Sequence, residues 1–458
     1  MGKNGERMSE GNFTRGPILG PLLKFAVPVI AAMFLQSLYG AVDLMIVGQY
    51  AESADVSAVS TGTQIMQTVT SVIAGLAMGM TILIGQKIGE EKPDEAGKAV
   101  GTGIVFFAAL AVVLSVVMVW NTKGIASLMH APAEAMDATC GYIRICSMGL
   151  LFIVAYNLLG ALFRGIGNSR IPLISVAIAA VCNVAGDLLL VRGMHMGASG
   201  AALATVISQG ISVVLSFLVI RRIHMSFTLR MKDIRYDASV TGRILHFGIP
   251  IALMDFLVGL SFLVILAIVN SLGLEASAGV GVAEKVCAFI MLIPSAFGQS
   301  MASFVAQNYG AGKMDRAYAA LRYGILTSFA VGCVMGWLSF FHGDILCSIF
   351  TKDPAVMMQG WQYLKAYAID CLLTAFIFCY IGYFNGCGYT RFVMIQGIIG
   401  AFCVRIPVSW LMSRVLPVSL FRIGLATPAS SLVQTILFVI YLHVVIPRRN
   451  NAAHQEDI

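Results

Sequence analysis

Charge is what this chain has least of. Asp, Glu, Lys and Arg make up 12% of its 458 residues, against about 25% in an ordinary soluble domain. That shortage excludes a water-soluble globular protein of this length. Metal and redox signatures are also missing. The 10 Cys are scattered through apolar segments with no CxxC pair and no His/Cys ligand spacing, so they read as small apolar residues, not as disulfides or metal ligands. No HExxH motif is present, and no soluble catalytic domain is appended. The net charge of +7 is spread too thinly for nucleic acid. The N-terminal MGKNGERMSEGNFTRG has neither the apolar stretch nor the cleavage site of a secretory signal. Glu6 stands where a myristoylation motif needs Ser or Thr. Short period-two alternation is absent, which excludes a transmembrane barrel.

What remains is grease. The chain is 58% hydrophobic with a mean hydropathy of +0.84. About twelve apolar runs, each of roughly 20 residues or more, have the length that crosses a bilayer. They start near Leu22, Val56, Ala99, Cys140, Ile171, Ala198, Leu245, Ala278, Ala319, Tyr363, Phe392 and Phe421. The fold class is therefore an all-α membrane protein with twelve transmembrane helices. Basic residues set its direction. Apart from Arg144, Lys285, Lys365 and Arg405, which fall within spans or near their ends, only Lys123, Arg192, Lys352, Arg414 and Arg422 lie on one side; all the rest lie on the other. By the positive-inside rule both termini are cytoplasmic, in a multi-pass protein of the plasma (inner) membrane.

The chain repeats itself. GQKIGEEKPDEAGKA (85–99) matches AQNYGAGKMDRAYAA (306–320), so that Gln86 pairs with Gln307, 221 residues on. YIRICSMGLLFIVAYNLLGALFRGIGNSR (142–170) matches YLKAYAIDCLLTAFIFCYIGYFNGCGYTR (363–391) at the same offset. Pro28 pairs with Pro250. Two six-helix lobes follow, and because six is even they run the same way through the membrane. This parallel repeat is the plan of many secondary transporters. The expected division is an N-terminal lobe over 1–220, a basic cytoplasmic linker over 221–243, and a C-terminal lobe with a short cytoplasmic tail over 244–458.

Charges inside hydrocarbon are expensive and mark sites or partners. In the run IPLISVAIAAVCNVAGDLLLV, Asp187 lies about 16 residues in, roughly 24 Å deep. Asn183 is one turn earlier on the same helix face. Thr205 lies at a compatible depth on the returning helix. In the first span, QSLYGAVDLMIVGQ carries Asp43, with Tyr39 one turn before it and Gln36 further down the same stripe. Asp43, Asn183, Asp187 and Thr205 thus offer oxygens at one depth on three helices. Oxygens suit a hard cation such as Na⁺. Equally, two carboxylates in a dry site repel, and sharing a proton removes that repulsion. The competing reading is structural: Asn183 and Asp187 hydrogen-bond neighbouring helices, and Arg144 neutralises the cluster. An aspartyl dyad is a third reading, but no catalytic motif flanks either Asp.

The second half does not repeat the cluster. Val404 and Val408 stand where Asn183 and Asp187 do. It carries Asp255, Glu284, Lys285, Asp370 and Arg405 instead, and these are expected to neutralise one another. Pro28 breaks one backbone bond in the helix of Asp43 and is read as a kink or a hinge. With Gln36, Tyr39, Asn157 and Gln209 it is assigned to the substrate cavity and its gating.

The proline and Asp of the first helix, the FRGIGNSR loop, the NVAGD of the fifth helix and the GASGAALATVISQ of the sixth together resemble the multidrug and toxic compound extrusion (MATE) transporters. Within them they look like the DinF-like branch. The resemblance covers essentially the whole chain. It implies antiport: H⁺ or Na⁺ enters while an organic, mostly cationic drug leaves, with no cofactor. It also implies that Asp43, Asn183, Asp187 and Thr205 form the coupling-cation site. The NorM-like branch places acids in helices seven and ten, but Asp255 and Asp370 sit about a turn off that pattern. The expected partners are small organic molecules and the lipid bilayer, with the chain acting as a monomer. The alternative is a flippase for a lipid-linked precursor, which would line its cavity with several cations. Only Lys285 and Arg405 qualify.

Overall fold

Long α-helices carry the described part of the chain back and forth, and several of their ends are written in the sequence. Proline opens the helices at Pro93 and Pro354, where a missing N–H costs nothing. Asp353 caps the second of these through the Ala355 N–H at 2.9 Å. The computed structural model describes residues 13–220, 227 and 229–447. Residues 221–226 and 228 of the expected linker, the expected tail at 448–458, and Lys3, Arg7, Arg221, Arg222, Arg448 and Arg449 lie outside the described residues.

The spans are α1 Leu19–Tyr50, α2 Ser53–Gly89, α3 Pro93–Trp120, α4 as the bent pair Ala133–Met148 and Leu150–Gly165, α5 Arg170–Gly193, and α6 Gly197–Ile220. The second half gives α7 Ala238–Asn270, α8 Leu274–Gly310, α9 Met314–Phe341, α10 Pro354–Gly386, α11 Thr390–Arg414 and α12 Leu420–Val445. Eleven are long and apolar enough to cross a membrane alone, and α4 makes up to 12 if the bent pair is one span. The expected all-helical, two-lobe class is the one observed. Large apolar side chains such as Val181 and Phe217 remain exposed, as lipid-facing residues must.

Three local features are absent from the sequence reading. Helix α4 bends by 55° at Gly149, where a side chain would run into Val206. Helix α5 changes to a π-turn over Leu188–Gly193, directly after Asp187. A second π-turn occupies Ile399–Arg405 in α11. There Ser430 donates to the Gly400 carbonyl at 2.7 Å, which satisfies a carbonyl inside the irregular turn.

Contacts gather the chain into two compact units, Met1–Ala252 with Ser303–Ala317, and Leu253–Ala302 with Tyr318–Ile458. Helix α8 therefore begins in the second unit and ends in the first. In the first unit α2 lies at the centre, with Ile73, Ala77, Met80 and Ile84 in one core with Val100, Phe107 and Ile143. The second has its own core around Val280, Cys287, Ile290, Tyr363 and Tyr367.

At one end of the first unit Asp55 accepts the Ala198 N–H at 2.8 Å and so caps α6 from another helix. Gly197 has φ of +54° and no room for a side chain beside Asp55. Asp55→Ala should lower the thermal unfolding midpoint in detergent, by the loss of about 1 kcal/mol typical of a helix cap. An unchanged midpoint would show that the cap contributes nothing.

Candidate functional site

The site is built by α1, α5 and α6 of the first unit. Each helix is apolar along most of its length, so its few polar side chains are held wherever packing places them. Asp43 is 6% exposed, and Asn183 and Asp187 are fully buried. The carboxyl groups of Asp43 and Asp187 face each other within hydrogen-bonding reach. The Asn183 amide donates to the Thr205 hydroxyl at 3.3 Å. Asp43 Oδ1, Asn183 Oδ1 and both oxygens of Asp187 accept no hydrogen bond among the described residues.

Buried acceptors without donors are rare, and each carries a desolvation cost. A set of four on facing helices suits an electron-poor guest: a proton shared by the carboxylates, or a hard cation. Among the described residues no three His, Cys, Asp or Glu side chains converge. The oxygens on offer to a cation are therefore the two carboxylates with the amide of Asn183 and the hydroxyl of Thr205.

Tyr39 lies beside this group, with its hydroxyl within hydrogen-bonding reach of the Gln36 and Gln209 side chains. The structure thus brings Gln36, Tyr39 and Gln209 together next to Asp43. Asn157 does not join them: its amide turns back to the Ile153 carbonyl of its own helix at 2.8 Å. Helix α1 runs unbroken through Pro28, about 15 residues, or roughly 22 Å, from Asp43.

Arg144 is exposed and makes no ion pair among the described residues, so it does not neutralise the cluster. Sequence reasoning missed Tyr142. It is buried near Asp43, and its hydroxyl meets that of Thr63 on α2 at 3.1 Å. The signal was available, since Tyr142 opens the second repeated stretch and matches Tyr363. Tyrosine in an apolar helix simply attracts less notice than a carboxylate.

In the second unit the expected neutralisation by ion pairs does not appear. No ion pair joins Arg405 to an acid among the described residues. Its guanidinium donates to Ser261 at 3.1 Å and sits 4.4 Å from the Phe262 ring centroid. Asp370 is within reach of Ser431 and also interacts with the charge of Arg405. The aromatic face and the hydroxyl make the direct contacts, while Asp370 acts on the Arg405 charge without forming a contact ion pair. Arg405→Ala should lower thermal stability by about 1–3 kcal/mol and leave the cation dependence of transport unchanged. An altered cation dependence at full stability would contradict this.

The geometry can be set beside known proteins. A MatE family model matches residues 28–189 and again 250–411, one match in each half, in line with the internal repeat. The chain is 26% identical over 440 residues to the probable multidrug resistance protein YoeA of Bacillus subtilis, covering 92% of both chains. It is 24% identical to the multidrug export protein MepA of Staphylococcus saprophyticus, covering 88% of both. Its fold is like that of a solved outward-facing multidrug resistance MATE family transporter, with a TM-score of 0.89, 17% identity and coverage of 95% of this chain and 98% of that one.

Proposed function

Because this chain belongs to the MatE family, we propose that it is a multidrug exporter driven by cation antiport, with Asp43, Asn183, Asp187 and Thr205 as the coupling site. The observation that carries this reading is the facing pair of buried carboxylates: three of their oxygens and Asn183 Oδ1 have no donor among the described residues. The relatives are named for multidrug resistance or export, and the facing carboxylates favour organic, mostly cationic drugs among such substrates. The coupling ion is H⁺ or Na⁺, and the motif pattern is that of the DinF-like branch.

The chemistry is competition. A cationic drug and a coupling cation both seek the negative charge of Asp43 and Asp187, so binding of one weakens binding of the other. Linkage makes that effect equal in both directions. With the termini in the cytoplasm, entry of the cation from outside releases drug outward. Loss of the cation inward reloads the site. The two halves, 1–220 and 244–458, alternate access by rocking about 221–243. Gln36, Tyr39 and Gln209 line the drug's path beside the carboxylates, with Asn157 further along α4. Pro28 is the point on α1 where a backbone bond is already absent and bending costs least. Met and aromatic side chains give such a cavity its tolerance of different shapes. The protein acts as a monomer in the plasma membrane.

A flippase for a lipid-linked precursor would need several free cations in mid-membrane, and Arg405 is already engaged with Ser261 and Phe262. The test is drug efflux from reconstituted vesicles under separately imposed H⁺ and Na⁺ gradients. One of them should drive uphill export. Drug movement indifferent to both would end the antiport reading.

A further inference from the structure

The described residues just before α1, from Phe13 on, are tightly held. Phe13 is 2% exposed and sits between two rings, stacked on Phe304 at 4.8 Å and edge-on to Phe25 at 5.3 Å. The backbone around it is held by the end of α8 and the start of α9. Asn308 and Arg316 donate to the Phe13 carbonyl at 3.2 and 3.1 Å. Lys313 donates to the Thr14 carbonyl at 2.9 Å, and Arg316 to that of Gly16 at 2.8 Å. The Phe13 N–H reaches Gln307 Oε1 at 3.4 Å. Arg15 points the other way and pairs with Glu91 at 3.8 Å.

These contacts divide between the two copies of the repeated motif. The first copy carries Glu90, Glu91 and Glu95 where the second carries Ala311, Gly312 and Arg316. The acidic copy is already engaged with its own lysines: Lys87 meets Glu90 at 2.7 Å and Glu95 at 2.6 Å. Partial burial works to raise the Glu90 pKa, yet hydrogen bonds from Lys87 and Lys92 hold it below the usual carboxylate range. The second copy, with no acids at those positions, turns its basic and amide donors onto backbone carbonyls of residues 13–16. The strap is thus held by five hydrogen bonds to the second copy and meets the first through the exposed Arg15–Glu91 pair. The two copies also touch directly: a side chain at Gly89 would strike the Gln307 carbonyl, and one at Gly310 the Gln86 carbonyl.

We propose that residues 13–16 are a latch that ties the start of α1, and through Arg15 the end of α2, to the end of α8, and that this end opens only when Phe13 leaves its place between Phe25 and Phe304. The inference rests on the alternating-access reading above. The latch runs directly into α1, which carries Asp43, so a movement of that helix pulls on it. Polar backbone contacts fix its register, and the single buried ring supplies the cohesion that must be broken at each opening.

The test uses the full-length protein in lipid nanodiscs, with exposed Cys333 and Cys403 replaced by Ser. Spin labels are placed at Asp94 and Asp315, exposed positions of the two copies. Pulsed electron resonance then reads the distance between them. The parent should show a dominant short distance. Phe13→Ala should raise the ratio of long to short distances roughly tenfold or more. Arg316→Gln removes hydrogen bonds from a half-exposed position without creating a core cavity, and should shift the ratio in the same direction. Distributions in these two variants that superimpose on the parent's would overturn the latch. Failure of the antiport reading shows separately, as vesicles in which neither cation gradient drives export.

Discussion

Vesicles carrying Asp43→Asn or Asp187→Asn should export drug no faster than protein-free vesicles, while the variants insert and purify like the parent. The amide has the size of the carboxylate and keeps its helix packed. It cannot hold a net negative charge, so neither a proton nor Na⁺ competes there with a cationic drug. The coupling between two ligands through one charge is typically worth about 1–3 kcal/mol, or 5–150-fold. Losing it removes the drive even if the drug still binds. Stability should not fall, because the mutual repulsion of two facing carboxylates is relieved. The purely structural reading predicts the reverse: a loss of stability with export preserved in whatever protein survives. Wild-type export from either folded variant would sink the assignment of that residue.

Gly310→Val should have an effect of similar size by a different route. The ends of α2 and α8 cross with backbone against backbone, Gly89 over the Gln307 carbonyl and Gly310 over that of Gln86. A carbonyl in a helix cannot swing aside as a long side chain can. The added branched side chain must push the helices apart, and overpacking of this kind costs about 1–3 kcal/mol or more. The Gln307 amide also loses its bond to the Gly165 carbonyl, now 3.1 Å. The variant should therefore fail to close this end, with export near background and drug affinity in detergent close to the parent's. A normal export rate would show that the crossing is not part of the cycle.

The reach of the sequence can be judged from the same residues. Asp43, Asn183 and Asp187 were legible because a charge or amide deep in an apolar run is costly enough to stand out alone. Depth counting along the helices then placed Thr205 beside Asn183, where the hydrogen bond is found. The repeat was legible because Gln86, Gly89 and their counterparts recur at one spacing. The close crossing of the copies was not, since nothing local distinguishes a packed glycine from an idle one. The bend at Gly149 and the π-turn after Asp187 escaped for the same reason: both depend on what packs against the helix. Asn157 lies apart from the group it was placed with. A polar side chain in a helix can satisfy itself on the carbonyl four residues back, as it does here. Arg405 was read as half of an ion pair because charge invites that; a hydroxyl and an aromatic face make its direct contacts, and Asp370 acts on it without a contact pair. The role of Phe13 could not be seen either, since one aromatic residue in a polar leader has no periodicity to mark it.

The central claim is that drug and coupling cation compete for one pair of carboxylates. The most direct measurement is calorimetric titration of a cationic drug into the purified protein, in buffers of different ionisation enthalpy and with or without Na⁺. Drug binding should release protons or be weakened by added Na⁺, and either effect should vanish in Asp43→Asn and Asp187→Asn. Drug binding that releases no proton and is indifferent to Na⁺ would contradict the claim.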